Sequence, residues 1–215
     1  MDRKKPEIIR YLLPGLGSFL WMAVFFGVLI RGQRMINADG DLALHLNLGK
    51  YILNTGRIPL KDFFSHTMTG QPVIQHEWLS AVILEGTKRV AGLEGIIFLL
   101  ALVISTAMYL LFRYLRKNNR TLLPVLLVLL LTIVNSIIHW LARPHIFTFL
   151  FLILWLMILE KLRAGNLKIW WMMPALMLLW VNMHGGFIIG FIIWMIYGFG
   201  IGLLPDPPLD FQQHL

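Results

Sequence analysis

Long uncharged apolar runs constrain the fold of this chain more than any other feature of its sequence. A hydrocarbon core about 30 Å thick is crossed by about 20 helical residues. Because 58% of the 215 residues are hydrophobic and only 14% are charged, a soluble core could not hide the apolar side chains. The sequence therefore predicts an all-α polytopic membrane protein with about six transmembrane helices, over residues 11–30, 95–112, 122–142, 144–159, 169–183 and 185–204.

These runs predict a single membrane domain over residues 1–215. Its first transmembrane helix covers 11–30, and its other helices lie within 95–204, followed by a tail at 205–215. The first run is longer than the apolar part of a signal peptide and lacks a small-residue cleavage site, so an uncleaved signal anchor is expected. The fourth and fifth runs are short, and tilting or a thinner bilayer would let them cross.

The 31–94 interval is too long for a simple connector and predicts two helices on the membrane surface. The first runs from Asp41, as N-cap, to about residue 53, where Gly56 and Pro59 stop it. Alternating leucines at 42–48 would also fit a strand. A helix is favoured because four residues form an apolar stripe, namely Leu44, Leu48, Tyr51 and Ile52.

The second surface helix is predicted over residues 77–90. Glu85 and Arg89 are spaced i, i+4 and can pair on one side of it. The opposite side is apolar and comprises Trp78, Val82, Ile83 and Val90.

Lysines and arginines indicate the orientation, because short cytoplasmic segments are rich in them. With a cytoplasmic N-terminus, eleven of the 19 basic residues fall in short inner segments, whereas the long first loop is nearly neutral. The sequence therefore predicts an extracytoplasmic first loop. It also places six of the seven histidines on the outer side, where a shared cavity is the simplest reason for such one-sided polarity.

Asp39 and Asp41 are two carboxylates one residue apart, directly after the first run. Either could be a general base, or a ligand that links a divalent cation such as Mg²⁺ or Mn²⁺ to a phosphate. Alternatively, Asp41 only caps a helix and Asp39 is a solvated loop residue.

His76, Glu77 and Trp78 could supply an acid–base pair and a ring that stacks on a sugar. If they begin a helix, adjacent residues do not share a face, so His76 and Glu77 would not point at one atom. Anchoring of Trp78 at the membrane interface is the structural alternative.

Two further polar groups lie at predicted membrane boundaries. His139 and Arg143 are four residues apart and could face one pocket beside His145, giving a cation and neutral donors suited to a phosphate. Asn182 and His184 precede two glycines that permit a tight turn. Snorkelling at a helix end and a structural turn are the alternatives.

Several function classes are excluded by the composition. The chain has no cysteine, which removes disulfides and thiolate metal sites. Its net charge of +8 lies in short clusters between apolar runs, which does not suit nucleic acid. The histidine spacings match no firm metal-ligand pattern, so a metal or redox protein is the least favoured alternative.

The polar motifs together resemble a broad group of bacterial polytopic membrane proteins in the GT-C glycosyltransferase superfamily, which includes protein O-mannosyltransferases and lipid A aminoarabinose transferases. The motifs that carry this resemblance are Asp39-Gly-Asp41, His45, Gly49, Gly56-x-Ile-Pro59-x-x-Asp62-x-Phe-Ser65, His76-Glu77-Trp78-Leu79, Arg143-Pro-His145 and Asn182-x-His184-Gly-Gly-Phe187.

The resemblance implies transfer of a sugar from a polyprenyl-phosphate donor to an acceptor outside the bacterial inner membrane. It implies Asp39 or Asp41 as the base, with the histidines and Arg143 near the donor phosphate. Superfamily members usually have many more spans and an outer domain, so we expect the N-terminal half of a longer protein or a reduced relative, with further helices from a continuation or partner. A non-catalytic subunit that binds a lipid-linked substrate is the alternative function.

Overall fold

The computed structural model describes residues 15–38, 40–119 and 121–203, and most of the residues in these ranges are helical. The α-helices are α1 (Leu16–Ile30), α2 (Gly32–Asn37), α3 (Leu42–Thr55), α4 (Trp78–Asn118), α5 (Leu122–Ser136), α6 (His145–Arg163), α7 (Met172–Met183) and α8 (Phe187–Leu203). The all-α prediction is confirmed for the described part of the chain.

Three of these helices are long and apolar enough to cross a membrane. They correspond to α4, to α5 with the 3₁₀ turn that follows it, and to α6. The apolar helices at Leu16–Ile30, Leu167–Met183 and Phe187–Gly200 are shorter. Three of the six predicted spans thus have the required length. The other three remain predictions, and the start of the first at residue 11 lies outside the described residues.

Helix α4 joins a predicted surface helix to a predicted span. Its backbone leaves helical geometry at Ala91 (φ −135°) and Gly92 (φ 69°, ψ −166°). The part before this break matches the helix predicted over 77–90, and the part after it contains the span predicted over 95–112. The two predicted elements are consecutive, with a kink in place of a loop.

The main hydrophobic core surrounds the second part of α4. Ile96, Leu100 and Ile104 are fully buried and pack with Val28 of α1 and Ile146 of α6. Leu42 and Leu46 of α3 join the same core. The loop helix α3 is therefore an integral part of the bundle.

Helix α3 runs beside the first part of α4 in the same direction. His45 lies near Glu77 at one end, and the Arg89 guanidinium donates to Asn54 Oδ1 over 2.6 Å at the other. Between these ends, a Cβ on Gly49 would stand 2.1 Å from the Ala81 carbonyl oxygen. This close crossing sets the position of His45 relative to Glu77.

The apolar faces predicted for α3 and for the first part of α4 each include one residue that is exposed. Leu44 is 48% exposed and Val90 is 89% exposed. The buried residues of α3 are Leu42, His45, Leu46, Leu48, Gly49 and Ile52. A hydrophobicity stripe could not anticipate the burial of His45, because a histidine is buried when a polar partner such as Glu77 is available.

Candidate functional site

Six helix ends meet at one end of the bundle and bring together most of the predicted site residues. The C-terminal ends of α2, α5 and α7 and the N-terminal ends of α3 and α6 lie there, with the start of α4. Asp39 lies outside the described residues. The other ten candidates are Asp41, His45, His76, Glu77, Trp78, His139, Arg143, His145, Asn182 and His184.

Three imidazoles surround the carboxylate of Glu77. The distances to its oxygens are 3.7 Å from His45 Nε2, 3.9 Å from His76 Nε2 and 3.7 Å from His184 Nε2. We call these four residues the imidazole–carboxylate cluster. They come from α3, from the residues just before α4 and from the turn between α7 and α8.

Glu77 and His76 approach each other because Glu77 precedes the helix. Its φ of −107° and ψ of 20° are not helical, so the condition under which the two side chains were expected to diverge is not met. His76 Nε2 lies 3.9 Å from Glu77 Oε1. Burial raises the pKa of the Glu77 carboxyl, and the neighbouring His76 opposes this effect. A carboxylate with a raised pKa binds a proton more readily than an exposed one.

His184 is fixed by hydrogen bonds at one ring nitrogen. The Gly186 backbone N–H donates to His184 Nδ1 over 3.0 Å, and Thr148 Oγ1 lies 2.9 Å from the same atom. The Trp180 indole N–H donates to Thr148 Oγ1 over 3.1 Å, which leaves the Thr148 hydroxyl hydrogen for His184. Nδ1 is therefore an acceptor, and the neutral ring carries its proton on Nε2, towards Glu77.

The same surroundings disfavour a positive charge on His184. Burial, followed by the charges of His145, His76 and His45, lowers the pKa of His184 to about 4. At neutral pH the ring is therefore uncharged, with Nε2 3.7 Å from Glu77 Oε1.

Asp41 and Arg143 form an ion pair between distant parts of the chain. Arg143 Nη1 lies 3.1 Å from Asp41 Oδ2, and both side chains reach solvent. Asp41 occupies the N-cap position of α3, but its side chain makes no capping hydrogen bond, so the capping prediction is wrong. The Ala142 N–H donates to the Met35 carbonyl over 3.0 Å, which holds the Arg143 turn beside the end of α2.

His139 and Arg143 do not lie four residues apart on one helix. Helix α5 ends at Ser136, a 3₁₀ turn covers Ile137–His139, and Trp140 has non-helical dihedrals. The helical-spacing argument for these two residues is therefore wrong. His139 instead lies next to His145, with ring centroids 6.4 Å apart, and His145 lies 6.1 Å from His184. The histidines form a continuous row.

Trp78 bridges two elements of the site. Its indole N–H donates to Asn182 Oδ1 over 2.7 Å, and the half-buried ring packs on Leu48 and Ile52 of α3. This arrangement ties the start of α4 to the end of α7. The indole holds the site together, and its N–H is already engaged with Asn182.

Thr148 and Trp180 are the site residues that sequence reasoning missed. Thr148 is the one hydroxyl residue in the apolar stretch from 146 to 159, which is a signal that could have drawn attention to it. Trp180 gives no such signal, because its contact with Thr148 depends on the packing of α6 against α7. Among the residues that the structure describes, no group of three histidine or acidic side chains has the geometry to hold a metal ion.

Comparison of the chain with models of protein families, with curated proteins and with solved structures gave no match.

Proposed function

We propose that this chain is a GT-C-like transferase, or the corresponding part of one, in a bacterial inner membrane. It moves a sugar from a polyprenyl-phosphate donor to an extracytoplasmic acceptor hydroxyl. The observation that carries this proposal is the convergence of the Asp41–Arg143 pair and the imidazole–carboxylate cluster at the ends of apolar helices. A phosphate-binding cation and a proton acceptor are the two groups that this transfer needs.

Arg143 is suited to the donor phosphate. A guanidinium has five N–H donors, so it can hold Asp41 and still bind phosphate oxygens. The Arg143 side chain is 36% exposed, which leaves it accessible. An ion pair this exposed adds less than about 1 kcal/mol to stability, so positioning of the guanidinium is the better reason for it.

Of the two site carboxylates that the structure describes, Asp41 and Glu77, we assign Glu77 as the proton acceptor. Burial raises the pKa of Glu77, so its carboxylate takes up a proton more readily than an exposed one. The acceptor oxygen attacks the anomeric carbon, and its proton passes to Glu77. The bond between that carbon and the phosphate oxygen breaks, and the electron pair leaves with the polyprenyl phosphate beside Arg143. Exposed His76 then carries the proton from Glu77 to solvent.

Transfer of labelled sugar from polyprenyl-phosphate donors, with the full chain reconstituted in lipid, tests this proposal. Glu77→Gln should lower the rate by about 10²–10⁴-fold, because general base catalysis contributes that much, with little change in donor binding. Arg143→Gln should weaken donor binding instead. Glu94→Gln removes an exposed carboxylate from α4, the helix that Glu77 precedes, and serves as the matched control.

The outcomes separate the proposal from its alternative. Donor binding that depends on Arg143, without transfer to any acceptor, would identify a non-catalytic subunit that binds lipid-linked substrates. Transfer at the wild-type rate by Glu77→Gln would refute the role of Glu77 as base. Absence of donor binding by the wild-type protein would refute the function itself.

A further inference from the structure

The segment between α3 and α4 contains a folded hairpin that the proposed site does not use. We call residues 57–75 the connecting hairpin. The Val73 N–H donates to the Leu60 carbonyl over 3.0 Å, and the Asp62 N–H donates to the Gln71 carbonyl over 2.9 Å. The Gly70 N–H closes the pairing on the Asp62 carbonyl over 2.7 Å. Backbone hydrogen bonds thus give this connection a defined shape.

The one carboxylate of the connecting hairpin accepts hydrogen bonds from the hairpin's own turn. Asp62 Oδ1 accepts from the backbone N–H groups of Phe64 (2.8 Å) and Ser65 (2.9 Å), and Oδ2 accepts from the Ser65 hydroxyl. These hydrogen bonds lower the pKa of Asp62. Two exposed cations, Arg57 and Lys61, outnumber this one carboxylate, so the hairpin carries a net positive charge.

The same hairpin exposes large apolar side chains. Leu60 is 78% exposed and Ile74 is 87% exposed. The set comprises Ile58, Leu60, Phe63, Phe64, Met68 and Ile74. Clusters of exposed apolar side chains of this kind mark interaction surfaces.

The two ends of the hairpin lie beside the ends of apolar helices. The hairpin leaves α3 beside Arg89, whose guanidinium donates to Asn54 near the end of α3. Arg89 lies three residues before the α4 break at Gly92. The part of α4 after that break contains the predicted span over 95–112. At its other end the hairpin returns to Glu77, where α4 begins, beside His184 at the end of α7.

We infer that the connecting hairpin lies in the headgroup region of the adjacent leaflet and binds anionic lipid. Phe63, Phe64 and their apolar neighbours enter the boundary between headgroups and acyl chains, where aromatic side chains are favoured. Arg57 and Lys61 bind lipid phosphates, while their alkyl stems follow the apolar surface. A bilayer matches this surface because it offers an apolar layer directly below an anionic one. The inference is independent of the sugar transfer proposed above.

The absence of cysteine makes a direct test practical. Leu60→Cys and Ile74→Cys each place one thiol on the hairpin at a highly exposed position, where replacement should not disturb the fold. Each variant is labelled with an environment-sensitive fluorophore and reconstituted in phosphatidylcholine vesicles, with or without phosphatidylglycerol. Asn47→Cys, at an exposed polar position of α3, is the control.

Nitroxide-labelled lipids should quench the probes at positions 60 and 74 several-fold more than the probe at 47, and aqueous iodide should do the reverse. Phosphatidylglycerol should increase the lipid quenching, and Arg57→Gln with Lys61→Gln should remove that increase. Quenching of both hairpin probes by iodide alone would overturn the inference. Shielding of the hairpin probes from iodide that disappears when the protein is diluted at constant lipid composition would also overturn the inference. That result would identify a second copy of the chain, and not lipid, as the partner that covers the hairpin.

Discussion

His184 receives its hydrogen bonds at Nδ1, and this decides which form of the ring the fold stabilises. A protonated imidazole carries hydrogen on both nitrogens, so it could not accept from Gly186 N–H. The nearby histidines add to the penalty for a positive charge. The folded protein therefore favours the neutral ring, and its stability should depend on pH through this residue.

We expect acid to destabilise the wild-type protein through His184. Its pKa is about 4 in the folded protein and near 6.5 in the unfolded chain, so between these values the unfolded chain binds a proton that the folded protein does not. This stabilisation is complete above about pH 6.5 and is lost as the pH falls to about 4. The raised pKa of Glu77 acts in the opposite sense. After allowance for partial exposure, the loss through His184 is roughly 2 kcal/mol.

Unfolding in detergent across this pH range, monitored by circular dichroism, measures the effect. His184→Gln should reduce the acid sensitivity, whereas the exposed control His66→Gln should keep it. Equal acid sensitivity in His184→Gln and the wild type would contradict the assignment of the neutral ring.

For single residues, the sequence predicts which side chains lie at the site better than it predicts their contacts. Polarity at the predicted membrane boundaries was enough to select Asp41, Glu77 and His184. The partner of Asp41 could not be predicted, because the Met35–Ala142 backbone bond that brings Arg143 to it joins segments about 100 residues apart in the chain. Thr148 was missed for the same reason, since its role depends on α6–α7 packing.

Helix boundaries were predicted well where a local signal marks them. Gly56 ends α3 as expected, and the Glu85–Arg89 pair forms at 3.1 Å. The prediction of one helix over 122–142 was wrong because the apolar run continues beyond the helix. Trp140 and Ala142 are buried in a turn after α5 has ended, and hydrophobicity reports burial without distinguishing helix from turn.

The kink in α4 should require a glycine at position 92. Its φ of 69° and ψ of −166° fall in a region that essentially only glycine adopts, so Gly92→Ala should cost about 1–3 kcal/mol. Gly86→Ala changes the same residue type six positions earlier, inside the helix, where a Cβ would meet nothing within 4 Å. That variant should be more stable than the wild type by about 0.5–1 kcal/mol. Thermal unfolding in detergent compares the two, and a shift in the same direction for both would contradict the kink.

For the whole molecule, the contacts between helix ends can be compared with the predicted topology. In an alternating arrangement, the end of each outward helix lies on the same side as the start of the next inward helix. The Met35–Ala142 bond, the His145–His184 ring contact and the Thr148–His184 contact join such ends. Three of the described helices have the length of a full span, and crossing by all six remains a prediction.

Single-cysteine labelling should assign each connection to one side of the membrane. We expect His66→Cys to react with a membrane-impermeant maleimide in intact bacterial spheroplasts, because the 57–75 segment is predicted to be extracytoplasmic. Asn119→Cys and Asn166→Cys lie in exposed connections after α4 and α6 and should react only after the membrane is disrupted. Reaction of positions 119 and 166 from opposite sides would mean that α5 and α6 do not cross as a pair. Reaction of positions 66 and 119 from the same side would mean that α4 does not cross, and the ends of apolar helices could then not define a site on one face.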